Sequence, residues 1–370
     1  MNPFQYQTFC IGETFCSREK EILLLKQYIS TGKNVLLYSK RRFGKSSLIK
    51  ELFENRINKD EYLTIYIDIF DIIQSIDFAN ITYKAIASSL PSDFKSIMKQ
   101  LKSMFSKVNF STTLKNNGEL EFKPSISSFD FDELMADIFN GLLEYSTKNN
   151  KKLVVVFDEF QQIALIKEKK IDAIIRKYIQ EHQNISYIFT GSKRHILTHL
   201  FSKYDAPLYE MANHMQLDPI DINVFYEFVN QKLNNRLPFE LFEYIYNLCD
   251  GESKLIQEFG YHMFFKQDDI MTDEIIEDIY NFILDEKTGH FKMILDRLTI
   301  PQKIALKSVT INDGKHLFKK ENLFKLQTTK ASLNSAIKFL YKDELIDKED
   351  EKYFISNKSF ELWCKREFTI

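Results

Sequence analysis

Gly44, Lys45 and Ser46 put a conformationally free residue, an ammonium and a hydroxyl at consecutive positions. The strand-like run Asn34 to Tyr38 comes before them and the apolar helix start Leu48-Ile49 after. Groups of these types in a strand–loop–helix context bind a phosphate chain. Backbone N–H groups curled at a helix N-terminus take the β-phosphate, the lysine reaches the β- and γ-oxygens, and the hydroxyl ligates Mg2+. The full loop reads Ser39-Lys40-Arg41-Arg42-Phe43-Gly44-Lys45-Ser46-Ser47. It departs from the GxxxxGK[ST] pattern at the first position, where Ser39 replaces glycine, a change small enough for the loop to keep its path.

A second pair of groups, Asp158 and Glu159, ends the continuously apolar run Leu153-Val154-Val155-Val156-Phe157. An acid at that place holds Mg2+ through water, and a neighbouring glutamate polarises an attacking water. A third run, Tyr187-Ile188-Phe189, ends in Thr190-Gly191-Ser192, where either hydroxyl can bond a γ-phosphate or the attacking water. Lys193 and Arg194 follow, and facing the phosphates or facing solvent are both open readings for them. His195 and His199 are four apart but have no third ligand nearby and lack the HExxH pattern, so they read as surface histidines.

These groups meet only if parallel strands carry them to one edge. The strand candidates are Asn34 to Tyr38, Leu63 to Ile69, Leu153 to Phe157, Ile185 to Thr190 and His214 to Leu217. They alternate with helical patterns over the first 218 residues, the signature of a parallel sheet covered by helices. Alternation around Val108 to Leu114 and Leu120 to Phe122, with Asn116-Asn117-Gly118 between, predicts a β-hairpin inserted near 106–124. It reads as an edge decoration or as a surface for a protein partner. After Asp218-Pro219 four amphipathic helices are expected: Asn223 to Asn234, Phe239 to Cys249, Lys254 to Phe265 and Asp273 to Asp285. From Thr299, where Pro301 and Gln302 complete a helix-start signature, three helices and a hairpin at Asp350 to Ser356 give the order of a winged helix-turn-helix. The expected domains are therefore 1–218, 219–286 and 287–370. Trp363, Phe360 and Phe368 are expected to close the last one onto its neighbour.

At 370 residues, 44% hydrophobic and 28% charged, the chain suits two or three folded domains. The net charge of −2 gives no overall pull toward nucleic acid or anionic lipid. No apolar window approaches membrane-span length, and Met1 to Cys10 lacks the features of a signal peptide. The expectation is a cytoplasmic protein with no membrane partner. Cys10, Cys16, Cys249 and Cys364 lack paired spacing and read as reduced thiols.

The segments Arg18-Glu19, Arg41-Arg42-Phe43-Gly44-Lys45-Ser46-Ser47-Leu48, Phe157-Asp158-Glu159-Phe160 and Thr190-Gly191-Ser192-Lys193-Arg194-His195 together resemble the archaeal and bacterial AAA-type ATPase family. That family is related to the STAND NTPases and the Orc1/Cdc6 initiators. The resemblance covers nearly the whole chain. It implies a P-loop NTPase of the AAA+/ASCE type, an α/β three-layer sandwich with a parallel sheet, followed by a helical lid and a winged-helix domain. It implies ATP or ADP with Mg2+ as ligands, Lys45 as the phosphate lysine and Ser46 and Asp158 as the metal-holding pair. Glu159 becomes the catalytic base, and Ser192 or Thr190 the sensor. Ser39, Arg41, Arg42, Phe43, Gly44 and Ser47 complete the nucleotide-binding loop, and Arg18 borders the adenine pocket. Asp250-Gly251-Glu252-Ser253 stands where such proteins carry a Gly-x-Pro lid turn, with serine in place of the proline. Neither Arg236 nor Arg297 reads as an arginine finger, which favours slow hydrolysis and a switch-like cycle.

From Thr299 to Lys342 there are nine lysines against Asp313 and Glu321, a local excess of seven positive charges. A helix over Thr329 to Lys342 would present Lys330, Ser332, Asn334 and Ser335 where a recognition helix lies, making duplex DNA a candidate partner of 299–342. The acidic stretch Asp347, Glu349, Asp350 and Glu351 favours instead a winged helix that docks protein. The sequence thus leads to a Mg2+-dependent ATPase whose nucleotide state switches lid and winged helix. The alternative is a DNA-binding regulator holding slowly hydrolysed ATP, or a signalling scaffold.

Overall fold

Successive side chains on a strand point to opposite faces of its sheet, so a strand covered on both sides is apolar at every position. The computed structural model describes residues 2–91, 94–115, 120–126, 130–192, 194–266 and 270–368. The chain divides into two compact units, a core unit of Phe9–Lys40 with Gly44–Asp218, and a second unit of Met1–Thr8, Arg41–Phe43 and Pro219–Ile370.

In chain order the core unit contains α1 (Glu19–Ser30), β1 (Val35–Tyr38), α2 (Lys45–Glu51), β2 (Tyr62–Asp68), α3 (Ser75–Ser89) and α4 (Phe94–Met104). Then come β3 (Asn109–Leu114), β4 (Leu120–Ser125), α5 (Phe131–Asn149), β5 (Lys152–Asp158), α6 (Ile171–Ile179), β6 (Ile185–Gly191), α7 (Arg194–Ser202) and β7 (Asn213–Gln216). Five strands form one sheet in the order β2-β5-β6-β1-β7, and every pairing in it is parallel. On β5, Leu153, Val155 and Phe157 enter the apolar cluster on one face, and Val154 and Val156 enter the cluster on the other. β1 divides in the same way, Leu36 to the first cluster and Val35 and Leu37 to the second. The register pairs Tyr38 with Gly191 and Asp68 with Asp158. The carboxyl ends of β1, β2, β5 and β6 therefore lie along one edge, where an open α/β sheet holds its ligand.

β3 and β4 pair antiparallel from Asn109 opposite Ser125 to Leu114 opposite Leu120. The expected turn Asn116-Asn117-Gly118 lies outside the described residues. No helix among the described residues is long and apolar enough to cross a membrane.

The second unit contains α8 (Ile222–Lys232), α9 (Phe239–Leu248), α10 (Ser253–Phe264), α11 (Asp273–Asp296), α12 (Ile300–Ile311), α13 (Lys320–Lys325) and α14 (Lys330–Lys342). β8 (Ile346–Glu349), β9 (Lys352–Ile355) and α15 (Lys358–Phe368) follow, with β8 and β9 paired antiparallel. α12 starts with the expected device, Thr299 N–H donating to Gln302 Oε1 at 2.8 Å. α11 differs from expectation. It runs unbroken past Asp285 to Asp296, through the point taken as a domain boundary. The stretch that interrupts its apolar pattern has polar partners on its inward side. Lys287 pairs with the buried Glu258, and Thr288 Oγ1 accepts the indole N–H of Trp363 at 3.0 Å. Phe291 then packs on Phe360 and Trp363, with ring centroids 5.1 and 5.7 Å apart.

Candidate functional site

α2 starts at Lys45 because Gly44, its N-cap, sits at φ 90°, a left-handed backbone that costs glycine little. Arg42 is also left-handed, at φ 66°, which a side-chain-bearing residue adopts only under constraint. Lys45 is 7% exposed. Its ammonium donates to Ser39 Oγ at 3.2 Å, Ser39 O at 3.4 Å and Lys40 O at 3.5 Å. These are long contacts that a phosphate oxygen can replace. Ser39 does more than fit, since its hydroxyl both accepts from Lys45 and donates to Lys40 O at 2.7 Å. Ser47 Oγ accepts the Cys10 N–H at 3.1 Å, tying the segment ahead of α1 to the loop's helix.

The strand order brings Ser46 to Asp158. Ser46 Oγ donates to Asp158 Oδ2 at 3.1 Å. Asp158 is 5% exposed, and both its oxygens are engaged. Oδ1 accepts from Thr190 Oγ1 at 2.7 Å and from Glu159 N–H at 3.0 Å, and Oδ2 also accepts from the Tyr66 hydroxyl on β2. Burial, and then the Asp158 carboxylate, push the Tyr66 phenol well above its usual range, so it stays a neutral donor.

Glu159 stands at φ 54°, a left-handed position directly after the strand. Its Oε2 accepts from Gln161 Nε2 and from Ser192 Oγ at 3.4 Å. Gln161 is 2% exposed, and its Oε1 has no hydrogen-bond partner. A Cβ at position 191 would come within 1.9 Å of that oxygen, so a larger residue there would displace the Gln161 side chain. The hydroxyls of Thr190 and Ser192, expected to bond phosphate or water, donate here to the carboxylates of Asp158 and Glu159. Lys193 and the side chains of Arg194 and His195 lie outside the described residues. Tyr66 and Gln161 were missed because neither belongs to a phosphate-site motif and Tyr66 reads as an ordinary strand aromatic.

Arg18, 5% exposed, donates to Glu21 at 2.9 Å and to Asp218 O at 2.7 Å. Its guanidinium thus ties α1 to the chain after β7. In the second unit, Arg41 pairs with Glu344. Arg42 donates to Asn357 Oδ1 at 2.7 Å and lies 3.7 Å from Glu252. Phe43 is buried. The guanidinium groups of Arg41 and Arg42, two of the residues expected to complete the nucleotide loop, have these protein partners. Burial pushes Glu252 up to about 7, against the opposing pull of Arg42, Lys287 and Lys254.

Among the described residues no three His, Cys, Asp or Glu side chains could hold a metal ion together. A hydroxyl and a carboxylate 3.1 Å apart, with no nitrogen or sulfur ligand, fit a hard cation that keeps most of its water, and Mg2+ is the one that accompanies phosphates.

A relative in Methanocaldococcus jannaschii, an uncharacterized ATP-binding protein, is 24% identical over 322 residues, 80% of this chain and 81% of its own. Among solved structures, the Walker-type ATPase of Pyrococcus abyssi is similar with a TM-score of 0.67 and 19% identity over 98% of this chain and 99% of that one. The Aeropyrum pernix ORC2 protein, solved as ADPNP–ADP complexes, gives a TM-score of 0.55 and 12% identity over 100% and 98%. At these identities the two structures establish the P-loop α/β fold. Residues 15–259, which carry the phosphate loop, the acid pair and the strand that ends in Gly191, match the ATPase domain found predominantly in Archaea, and the chain belongs to that ATP-binding ATPase family.

Proposed function

We propose that the protein binds Mg2+-ATP at the group formed by Lys45, Ser46 and Asp158 and hydrolyses it slowly to ADP and phosphate. The observation that carries this is the 3.1 Å contact of the Ser46 hydroxyl with Asp158, directly after the buried Lys45. Lys45 would exchange its loop oxygens for β- and γ-phosphate oxygens. Ser46 would ligate Mg2+ and Asp158 would hold it through water. The metal, when bound, offsets charge on the phosphoryl oxygens. Glu159 acts as general base. It takes a proton from the water whose oxygen attacks the γ-phosphorus, while the bond to the bridging oxygen breaks and ADP leaves. Gln161 and Ser192 hold that carboxylate from two sides.

Slow turnover is supported by Arg236, whose guanidinium is spent on Leu233 O at 2.9 Å and Lys266 O at 2.8 Å. In this reading the γ-phosphate sets the arrangement of the helices after residue 219 and of the C-terminal segment, and hydrolysis resets it. Replacing Glu159 with Gln should leave ATP binding intact and stop hydrolysis. A Glu159→Gln variant with normal turnover would remove the assignment.

A second reading, duplex DNA binding by 299–342, is favoured by one feature. α14 buries Leu333, Ala336, Ile337 and Leu340 and exposes Lys330, Asn334, Ser335 and Lys338 along its other side. The order α12, α13, α14 and a β8–β9 hairpin is that of a winged helix. Salt-sensitive binding that disappears when Lys330 and Lys338 are neutralised would support it. Salt-insensitive capture of a protein would replace it with a docking role.

A further inference from the structure

Asp158 must present one carboxylate in one orientation for a metal-bound water, yet an aspartate at a strand end has two free torsions. Four donors hold it here, and they are not equivalent. Glu159 N–H is the next residue of the chain, at 3.0 Å. Ser46 Oγ, at 3.1 Å, is the hydroxyl that in the proposed function would turn to the cation. The remaining side-chain donors are Thr190 on Oδ1, at 2.7 Å, and Tyr66 on Oδ2. Once Ser46 leaves, Tyr66 alone among the side chains of the described residues stays on Oδ2.

The placement of Tyr66 follows from the sheet. On β2, Leu63, Ile65 and Ile67 go to one apolar cluster, so Tyr62 and Tyr66 alternate to the other, which also takes Leu48 and Ile49 of α2. Tyr66 is paired with Val156, two residues before Asp158. That diagonal is spanned by a long aromatic side chain and not by a serine or asparagine. Lys50 of α2 places its ammonium 4.3 Å from the ring centroid, a cation–π contact that packs against the ring.

We propose that Tyr66 is a positioning residue for the cation. Its hydroxyl fixes Asp158 so that the carboxylate already faces the metal's waters when Ser46 changes partner. The role rests on the reading that Ser46 and Asp158 hold Mg2+ beside bound nucleotide. Partners that orient a ligand's carboxylate typically change metal affinity by about 10- to 100-fold.

The test is binding of a fluorescent ADP analogue, which is not hydrolysed, to the wild type, Tyr66→Phe and Lys45→Ala, first in EDTA and then across a Mg2+ titration repeated with Mn2+. The wild type and Tyr66→Phe should bind equally in EDTA, which also reports that the variant is folded, and Lys45→Ala should bind poorly throughout. Tyr66→Phe should need roughly tenfold more Mg2+ and Mn2+ to reach its half-maximal response. An unchanged metal midpoint overturns the positioning role, and so does an equal loss of affinity in EDTA. Wild-type binding that ignores Lys45→Ala overturns the nucleotide site itself, and the role of Tyr66 with it.

Discussion

The end of β5 and the outward side of α14 carry charge in opposite ways. Asp158 is 5% exposed and each of its oxygens has fixed donors. Lys330 and Lys338 stand in solvent. Where charge is buried, the position of one hydroxyl decides what the group can do, because an unmet donor or acceptor costs about 1–3 kcal/mol. Where it is exposed, screening leaves only the summed field, and single residues are interchangeable. On the proposed reading, the first region would specify a reaction and the second only a class of partner.

The largest expected effect lies on the buried side. Lys45→Ala should lower nucleotide affinity by roughly 100-fold, the equivalent of two charge-assisted hydrogen bonds, in a fluorescence titration. Unchanged affinity would make the buried ammonium a structural group and break the contrast. Glu252 is an intermediate case, a buried carboxylate whose Arg42 partner lies 3.7 Å away. Its folded pKa, about 7, lies above its ordinary 4.5. The stability it contributes is thus present below about pH 4.5 and lost as the pH rises through about 7. Glu252→Gln should remove that loss, gaining on the order of 1–3 kcal/mol at pH 8 relative to pH 5 in urea unfolding. A variant whose stability falls in parallel with the wild type would show that Arg42 already compensates the charge. The smallest effect belongs to α14. Neutralising Lys330 and Lys338 together should reduce the slope of log affinity against log salt for duplex DNA by about 2. A slope that does not move would take α14 out of any DNA contact.

The same contrast explains what could be read from sequence. The central strands β1, β5 and β6 were legible because they are largely apolar runs, β2 because its apolar residues alternate, and the Gly44-Lys45-Ser46 and Asp158-Glu159 groups because they are contiguous. Tyr66 was not legible, since its partner is two strand positions away on a neighbour and nothing local marks it. Gln161 was hidden for the opposite reason. It lies beside the motif, but only its burial against Gly191 distinguishes it from a surface glutamine. The continuation of α11 past Asp285 escaped because the positions just after it, Lys287 and Thr288, are polar and are satisfied by Glu258 and Trp363, so the apolar period is interrupted before Phe291 resumes it.

The most direct measurement is single-turnover hydrolysis of ATP with Mg2+ by the wild type beside Glu159→Gln, with nucleotide binding measured on the same samples. The expected result is equal binding, measurable phosphate release by the wild type and a loss of roughly 100-fold or more in the variant. Equal rates of phosphate release from the two proteins would contradict the account.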